Sequence, residues 1–242
     1  MAVVPVLYPL VARLQAASLT PDRVHACDLR ALEMRVTRFS VNGSPATVHD
    51  WLQRHSLALL DLLCAIPYGT FIAACIAFTA FAALREPQRA KRFAWSFVML
   101  NALGFIAYLL YPAAPPWYVH AHGCVVDLTA RASAGPNLAR VDGWLGVPYF
   151  AAMYSRSGTV FGAMPSLHCA YATLIMLDGW ALFRWRARVA ATAFALLMAF
   201  AAVYLDHHWI LDVAAGDTLA VAVFLAVRAL PARARGEAAL PA

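Results

Sequence analysis

The sequence predicts an all-α integral membrane protein, a bundle of five or six transmembrane helices. Two observations carry this. Of 242 residues, 62% are hydrophobic and only 13% charged, with a mean hydropathy of +0.64, a balance that water does not keep dispersed. Residues 62–84 and 93–111 contain no charged side chain, and a helix needs roughly 20 apolar residues to cross a ~30 Å hydrocarbon core.

In chain order, residues 1–50 form an N-terminal interfacial or amphipathic segment. Residues 2–14 are apolar but short, contain Pro5 and Pro9 and are interrupted by Arg13. An interfacial piece, a weak signal region and a distorted sixth span all fit them. Over residues 28–39, Leu29, Leu32, Met34, Val36 and Phe39 are interleaved with Arg30, Glu33, Arg35 and Arg38, the pattern of an amphipathic helix lying on a bilayer. Asn42-Gly43-Ser44-Pro45 marks a turn before Trp51, an interfacial anchor for the first firm span. After 62–84 and 93–111 come spans at 166–183, 189–205 and 211–227. The first and last of these three carry His168, Asp178, Asp212 and Asp217, groups costly in lipid that therefore face a bundle interior or a polar cavity. Asp178 and Asp217 are read as helix-to-helix hydrogen-bonding groups.

The basic residues set the orientation. Arg85, Arg89, Lys91 and Arg92 crowd one short connection, Arg184, Arg186 and Arg188 another, and Arg233 and Arg235 lie in a basic tail at 231–242; all three belong in the cytoplasm. Alternating the spans then puts residues 112–165, His168 and His208 together on the extracytoplasmic face, periplasmic or lumenal. The net charge of +6 is accounted for by topology and by attraction to anionic lipid headgroups. It lacks the aromatic interleaving of nucleic-acid grooves, so no nucleic-acid role is assigned.

Five cysteines are scattered without metal-ligand spacing. Cys64, Cys75 and Cys169 fall in apolar segments as small buried hydrophobes. Cys27 and Cys124 both fall on the outer side, where a disulfide is allowed although nothing in their spacing requires it. Trp117 and Tyr118 fit boundary anchors better than stacking platforms for a polyol ring. His120, His122 and His207 fit interfacial or hydrogen-bonded structural roles.

Two segments carry chemistry inside a catalytic membrane domain at 51–230. In Ala163-Met164-Pro165-Ser166-Leu167-His168, the Pro-Ser pair is a helix start, where backbone N–H groups and the dipole favour an anion. In Tyr204-Leu205-Asp206-His207-His208-Trp209-Ile210-Leu211-Asp212, His208 and Asp212 are four residues apart. On a helix they share a face, so the carboxylate orients the imidazole and stabilises its cation. Phosphoryl transfer at a membrane surface is the chemistry these pairs serve.

The PSLH and HHWILD segments resemble the second and third signatures of the type 2 phosphatidic acid phosphatase superfamily. AMPSLH and YLDHHWILDVAAG look closest to its inositol phosphorylceramide synthase branch, and the likeness runs from about Tyr111 through Pro112–Tyr118 to Gly216. The resemblance implies a catalytic set of His208 as nucleophile forming a phosphohistidine, Asp212 as its orienting carboxylate, and His168 as the acid and base at the leaving and incoming oxygens. It implies no metal and no cofactor.

The departures are informative. The first phosphatase signature, KxxxxxxRP, is missing; Ala202 stands where an arginine precedes the nucleophile by six residues, and the only lysine is Lys91. Phosphate binding therefore falls to Ser166 and to the outer loop, which offers Arg140 first, Arg156 next, and Arg131. Losing the phosphatase residues resembles the synthase branch. The favoured activity is transfer of a phospho-headgroup, phosphoinositol from phosphatidylinositol or another glycerophospholipid, to ceramide with release of diacylglycerol. The alternatives are hydrolysis of phosphatidate, phosphatidylglycerol phosphate or a polyprenyl diphosphate, and a noncatalytic scaffold or transporter.

Overall fold

The computed structural model describes residues 3–155 and 159–230. The basic tail at 231–242 and Arg156 lie outside the described residues. Eleven helices follow one another: α1 Val3–Ser18, α2 Asp28–Thr37, α3 Val48–Arg54, α4 Ala58–Arg85, α5 Pro87–Leu110, α6 Pro116–His122, α7 Gly135–Leu145, α8 Tyr149–Ser155, α9 Leu167–Gly179, α10 Trp185–Tyr204 and α11 Ile210–Ala229. The described strand residues amount to one small antiparallel hairpin, Ser40–Val41 with Ser44–Pro45, at the expected Asn42-Gly43 turn.

Among the described residues four helices, α4, α5, α10 and α11, are long and apolar enough to cross a membrane. The expected span at 166–183 is different. Its helix, α9, has 13 residues, about 20 Å at 1.5 Å per residue, short of the ~30 Å core. The chain turns at Gly179, where Leu182 N and Phe183 N both donate to the Gly179 carbonyl. A side chain at Gly179 would collide with the Phe183 ring. The apolar run was real, but α9 is the bundle's central post, buried nearly throughout and packed against α4, α5, α10 and α11. The bundle is thus four long helices around a short fifth.

α1, with 16 residues and Pro9 inside, reaches about 24 Å and leans on α5. Its buried Gln15 donates to the carbonyls of Tyr108 and Phe161 at 3.0 and 3.1 Å. α2 forms where the amphipathic pattern predicted it, with Leu29 and Glu33 buried and Leu32 and Val36 exposed. The proposed boundary at 50/51 falls inside α3, whose capping box pairs Thr47 with Asp50.

The two ends of the bundle differ chemically. At one end Arg89 and Arg92 bind Glu86, and Arg228 reaches Asp178 at 3.3 Å. Asp217, deeper in, accepts from Thr173 at 2.7 Å and so hydrogen-bonds helix to helix as expected, whereas the Asp178 carboxylate is tied to α11 by an ion pair. At the opposite end lie α6, α7, α8 and the starts of α9 and α11. There Cys27 and Cys124, 97 residues apart, form a disulfide, while Cys64, Cys75 and Cys169 are buried thiols.

Candidate active site

Two helix starts converge at this second end. Pro165 and Ser166 open α9, with Ser166 as N-cap accepting from Cys169 N. Trp209 is the N-cap of α11, and Asp212 at its third position accepts the Trp209 N–H at 2.8 Å, answering the exposed amides and the positive end of the helix dipole. The two starts are tied directly: Ser166 N donates to the Asp212 carbonyl at 2.9 Å. This is possible because Gly216, one turn along α11, presents no side chain to the Ser166 backbone.

His168 and His208 therefore meet, Nδ1 of the first 3.2 Å from Nε2 of the second. Position is fixed for each ring. His208 Nδ1 is 2.9 Å from the Ala163 carbonyl, an oxygen that can only accept, so Nδ1 carries the proton and Nε2 keeps its lone pair. Asp212 Oδ2 stands 3.7 Å from Nδ1. The expectation of a shared helix face is met only in part, because His208 precedes α11. The carboxylate supplies charge while a carbonyl 45 residues upstream in sequence supplies the hydrogen bond. His168 is stacked on Tyr68, centroids 4.7 Å apart, and meets the Phe71 ring edge-on.

The pair lines a cavity of about 340 Å³ whose largely apolar walls include the rings of Phe71, Phe105, Tyr108, Trp117, Tyr154 and Tyr171. His207 also lines it, held between Tyr68 and Tyr154 rings with its Nε2 3.2 Å from the Ala134 carbonyl. Burial pulls its pKa down to about 3, so it is neutral. Trp117 and Tyr118 are both buried; Trp117 is cavity wall and Tyr118 braces the next loop through Val125 and Asp127, so neither is a boundary anchor.

Among the described lining residues there is no arginine, lysine or carboxylate. Arg140 lies elsewhere. Its Nε and Nη2 donate to Asp61 at 2.8 and 3.2 Å, and Asn137 and Tyr204 donate to the same buried carboxylate at 2.9 and 2.8 Å. That cluster fastens α7 to α4 and α10. Ser166 does not line the cavity either; it is committed to the two helix starts. A second pocket shares Ala132, Tyr154 and Val160 with the first and is lined by the exposed Arg131 together with Ser133 and Ser155. No group of three or more His, Cys, Asp or Glu side chains able to hold a metal ion occurs among the described residues.

The model of the PAP2 superfamily matches residues 34–226, which brackets both helix starts and the cavity. The phosphoinositol dihydroceramide synthase of Bacteroides thetaiotaomicron is 33% identical over 180 residues, 72% of this chain and 55% of that protein. The inositol phosphorylceramide synthase of Candida albicans is 31% identical over 172 residues, 69% of this chain and 36% of that one. The inositol phosphorylceramide synthase catalytic subunit AUR1 of Saccharomyces cerevisiae is 31% identical over 182 residues, 72% and 44% of the two chains. The chain thus spans about half the length, or less, of these relatives. No solved structure matches it.

Proposed function

Because the chain belongs to the PAP2 superfamily, we propose that it is a membrane lipid phosphotransferase, moving a phospho-headgroup from a glycerophospholipid to the primary hydroxyl of ceramide and releasing diacylglycerol. The relatives named for inositol-containing products make phosphatidylinositol the first donor to test. One observation carries the proposal: two imidazoles 3.2 Å apart lining a largely apolar cavity. A water-soluble phosphomonoester needs no such walls, whereas a lipid does.

The chemistry balances on these groups. His208 Nε2 attacks phosphorus with its lone pair, displacing the contact to His168. The P–O bond to diacylglycerol breaks, and His168, entering as an imidazolium that the bound phosphodiester anion stabilises against the burial holding its pKa low, gives its proton to the departing oxygen and is left neutral. The resulting phosphohistidine has a cationic ring facing the Asp212 carboxylate. The ceramide hydroxyl then attacks the same phosphorus and returns a proton to His168 as the N–P bond breaks. Transfer exchanges no net proton with solvent. The acyl and sphingoid tails stay in the bilayer while the phosphate reaches the site laterally between α4 and α5, since Ile72 both lines the cavity and faces outward. The polyol head occupies the adjoining pocket, where Arg131 offers a cation. Arg156 remains a second candidate for the phosphate, while Ser166 and Arg140 are read as framework.

The site is assigned to the extracytoplasmic face. The short arginine-rich connections lie at the other end of the bundle, and the Cys27–Cys124 disulfide at the site's own end suits an oxidising compartment.

The test is purified protein with labelled phosphatidylinositol, with and without ceramide. Labelled phospholipid product and diacylglycerol in the presence of ceramide are expected. Equal release of diacylglycerol without ceramide, with water-soluble label, would make the protein a hydrolase; no turnover of any lipid would leave a scaffold or transporter.

A further inference from the structure

A second concentration of titratable groups lies beside the active site and takes no part in the steps above. His49, wholly buried, has Nδ1 3.3 Å from Asp206 Oδ1 and Nε2 3.5 Å from Glu33 Oε1. His120 has Nδ1 2.6 Å from Asp206 Oδ2 and Nε2 3.1 Å from Asp50 Oδ1. Arg30 binds the outer side of Asp50 at 3.1 Å. Glu33 also accepts the Ile210 N–H at 2.7 Å. The chain Arg30–Asp50–His120–Asp206–His49–Glu33 therefore runs from α2 and α3 through α6 into the α10–α11 loop. It ends on the first turn of α11.

Asp206 is its centre. It is 1% exposed and has φ +67°, a left-handed conformation that aspartate tolerates better than most side chains. Its carbonyl accepts from Trp117 N at 2.9 Å. Two residues later comes His208, whose ring must be held to a fraction of an ångström. Neither Asp206 nor His120 lines the cavity.

We propose that Asp206, gripped by His49 and His120, is a positioning residue for His208, and that the grip is complete only while His120 is an imidazolium. The second half is a matter of proton count. Both His120 nitrogens face carboxylate oxygens, and a neutral imidazole has one N–H, so losing the proton sets a lone pair against an anion. His49 faces two carboxylates in the same way, but it is sealed from water while His120 is partly exposed. The groups facing His120 are Asp206 from the loop and Asp50 from α3, with Arg30 of α2 behind Asp50. On its own helix, His122 is stacked on Tyr118.

The electrostatics agree. The Asp206 hydrogen bond holds His120 above the ordinary imidazole value against the opposing effect of burial. Burial alone would raise Asp206, but the His120 hydrogen bond and the His49 ring 3.3 Å away outweigh it and hold the carboxyl low. Asp50, in spite of burial, is brought down to about 2 chiefly by its bonds to Thr47. With the His120 pKa raised, the grip is fully present below the ordinary imidazole value and is lost as pH rises through the raised one. The disulfide belongs to the same device, since it clips the entry to α2 onto the chain just beyond α6.

The inference rests on His208 being the nucleophile, so the experiment separates the two. With purified full-length protein, labelled phosphatidylinositol and ceramide, kcat and KM are measured across pH for the wild type, H120Q, H120R, D206N and H208A. For H120Q, kcat is expected to fall between about 10- and 100-fold, the cost of a misplaced reacting group, with KM within about twofold because no binding contact is removed. Its alkaline descent should vanish. H120R, a permanent cation able to reach both acids, should restore rate at high pH. D206N, nearly isosteric, should move the wild-type descent to lower pH by removing the main support of the His120 proton. H120Q and D206N are independent, so a failure of one to fold leaves the other decisive. A full-rate H120Q, or a descent unmoved in D206N, overturns the proposal. Product formed by H208A would instead overturn the nucleophile on which it rests.

Discussion

Replacing Gly216 with alanine should uncouple the two histidines without touching either. A Cβ built there would run into the Ser166 carbonyl oxygen and lie 3.0 Å from its carbon and 3.2 Å from its nitrogen. The oxygen would be only 2.2 Å away, and carbon and oxygen rest at about 3.3–3.6 Å, so α9 and α11 must part by at least about 1 Å. The Ser166 N to Asp212 O bond, now 2.9 Å, would then pass beyond about 3.5 Å and cease to count as one. A buried hydrogen bond lost costs about 1–3 kcal/mol, and overpacking a tight contact about 1–3 kcal/mol more. Catalysis should suffer further, because His168 follows Ser166 by one turn's fraction and His208 precedes Asp212; an ångström of misplacement costs about 100-fold. Thermal unfolding in detergent and transfer of labelled headgroup to ceramide are the assays. Gly143→Ala is the control: nothing lies within 4 Å of a Cβ there, and a helical alanine gains about 0.5–1 kcal/mol. A Gly216→Ala protein as stable and as fast as the wild type would refute the view that this close approach sets the histidine geometry.

Three further outcomes follow from the same contacts. In single-turnover labelling by an activated phosphodiester lipid, His208→Ala should take no label. His168→Ala should be labelled but pass the group on slowly, and Asp212→Asn should be labelled at a reduced rate; label retained without His208 would reverse the two roles. Arg140→Ala should lower stability by about 1–2 kcal/mol, discounted because the guanidinium is partly exposed, with kcat within about threefold, and Asp61→Asn in the same chain should recover part of the loss. A catalytic collapse at unchanged melting temperature would instead make Arg140 a phosphate clamp. Reducing the Cys27–Cys124 bridge should lower the melting temperature, by at most about 4–5 kcal/mol of chain-entropy stabilisation for a loop of this size, and should expose two thiols to alkylation while Cys64, Cys75 and Cys169 stay protected; unchanged melting after reduction would contradict the clip.

What could be read from the chain, and what could not, divides by sequence separation. Pro165-Ser166 announced a helix start and one formed there; the charge-free runs announced α4 and α5, because apolar length is a local property. The Cys27–Cys124 bridge, spanning 97 residues, had no local signal beyond two thiols on one face. Trp117 and Tyr118 were indistinguishable from boundary anchors, because a ring facing a cavity and a ring facing lipid have the same composition. The His208–Asp212 spacing correctly brought acid and imidazole near one another, yet the helix began two residues later than the pattern assumed. The hydrogen bond went to Ala163 O, which no periodicity could name.

The histidine–carboxylate chain leaves almost no trace in the sequence, and its physics explains why. Glu33, His49 and His120 each look like an ordinary surface or interfacial residue in sequence and fall in no recognisable motif, while Asp206 sits inside the YLDHHWILD segment with no role of its own. A buried carboxylate is costly unless cations and N–H groups surround it; Asp206 is tolerated only because α3 and α6 deliver two imidazoles to it from 157 and 86 residues away. The one hint was adjacency, an ionisable Asp206 directly before His207-His208. A buried ionisable group needs partners, and the outer histidines supply them. The same logic separates Arg131 from Arg140: a cation beside a buried carboxylate is already spent on the fold, and only one outside such a pair is left to meet a substrate's phosphate.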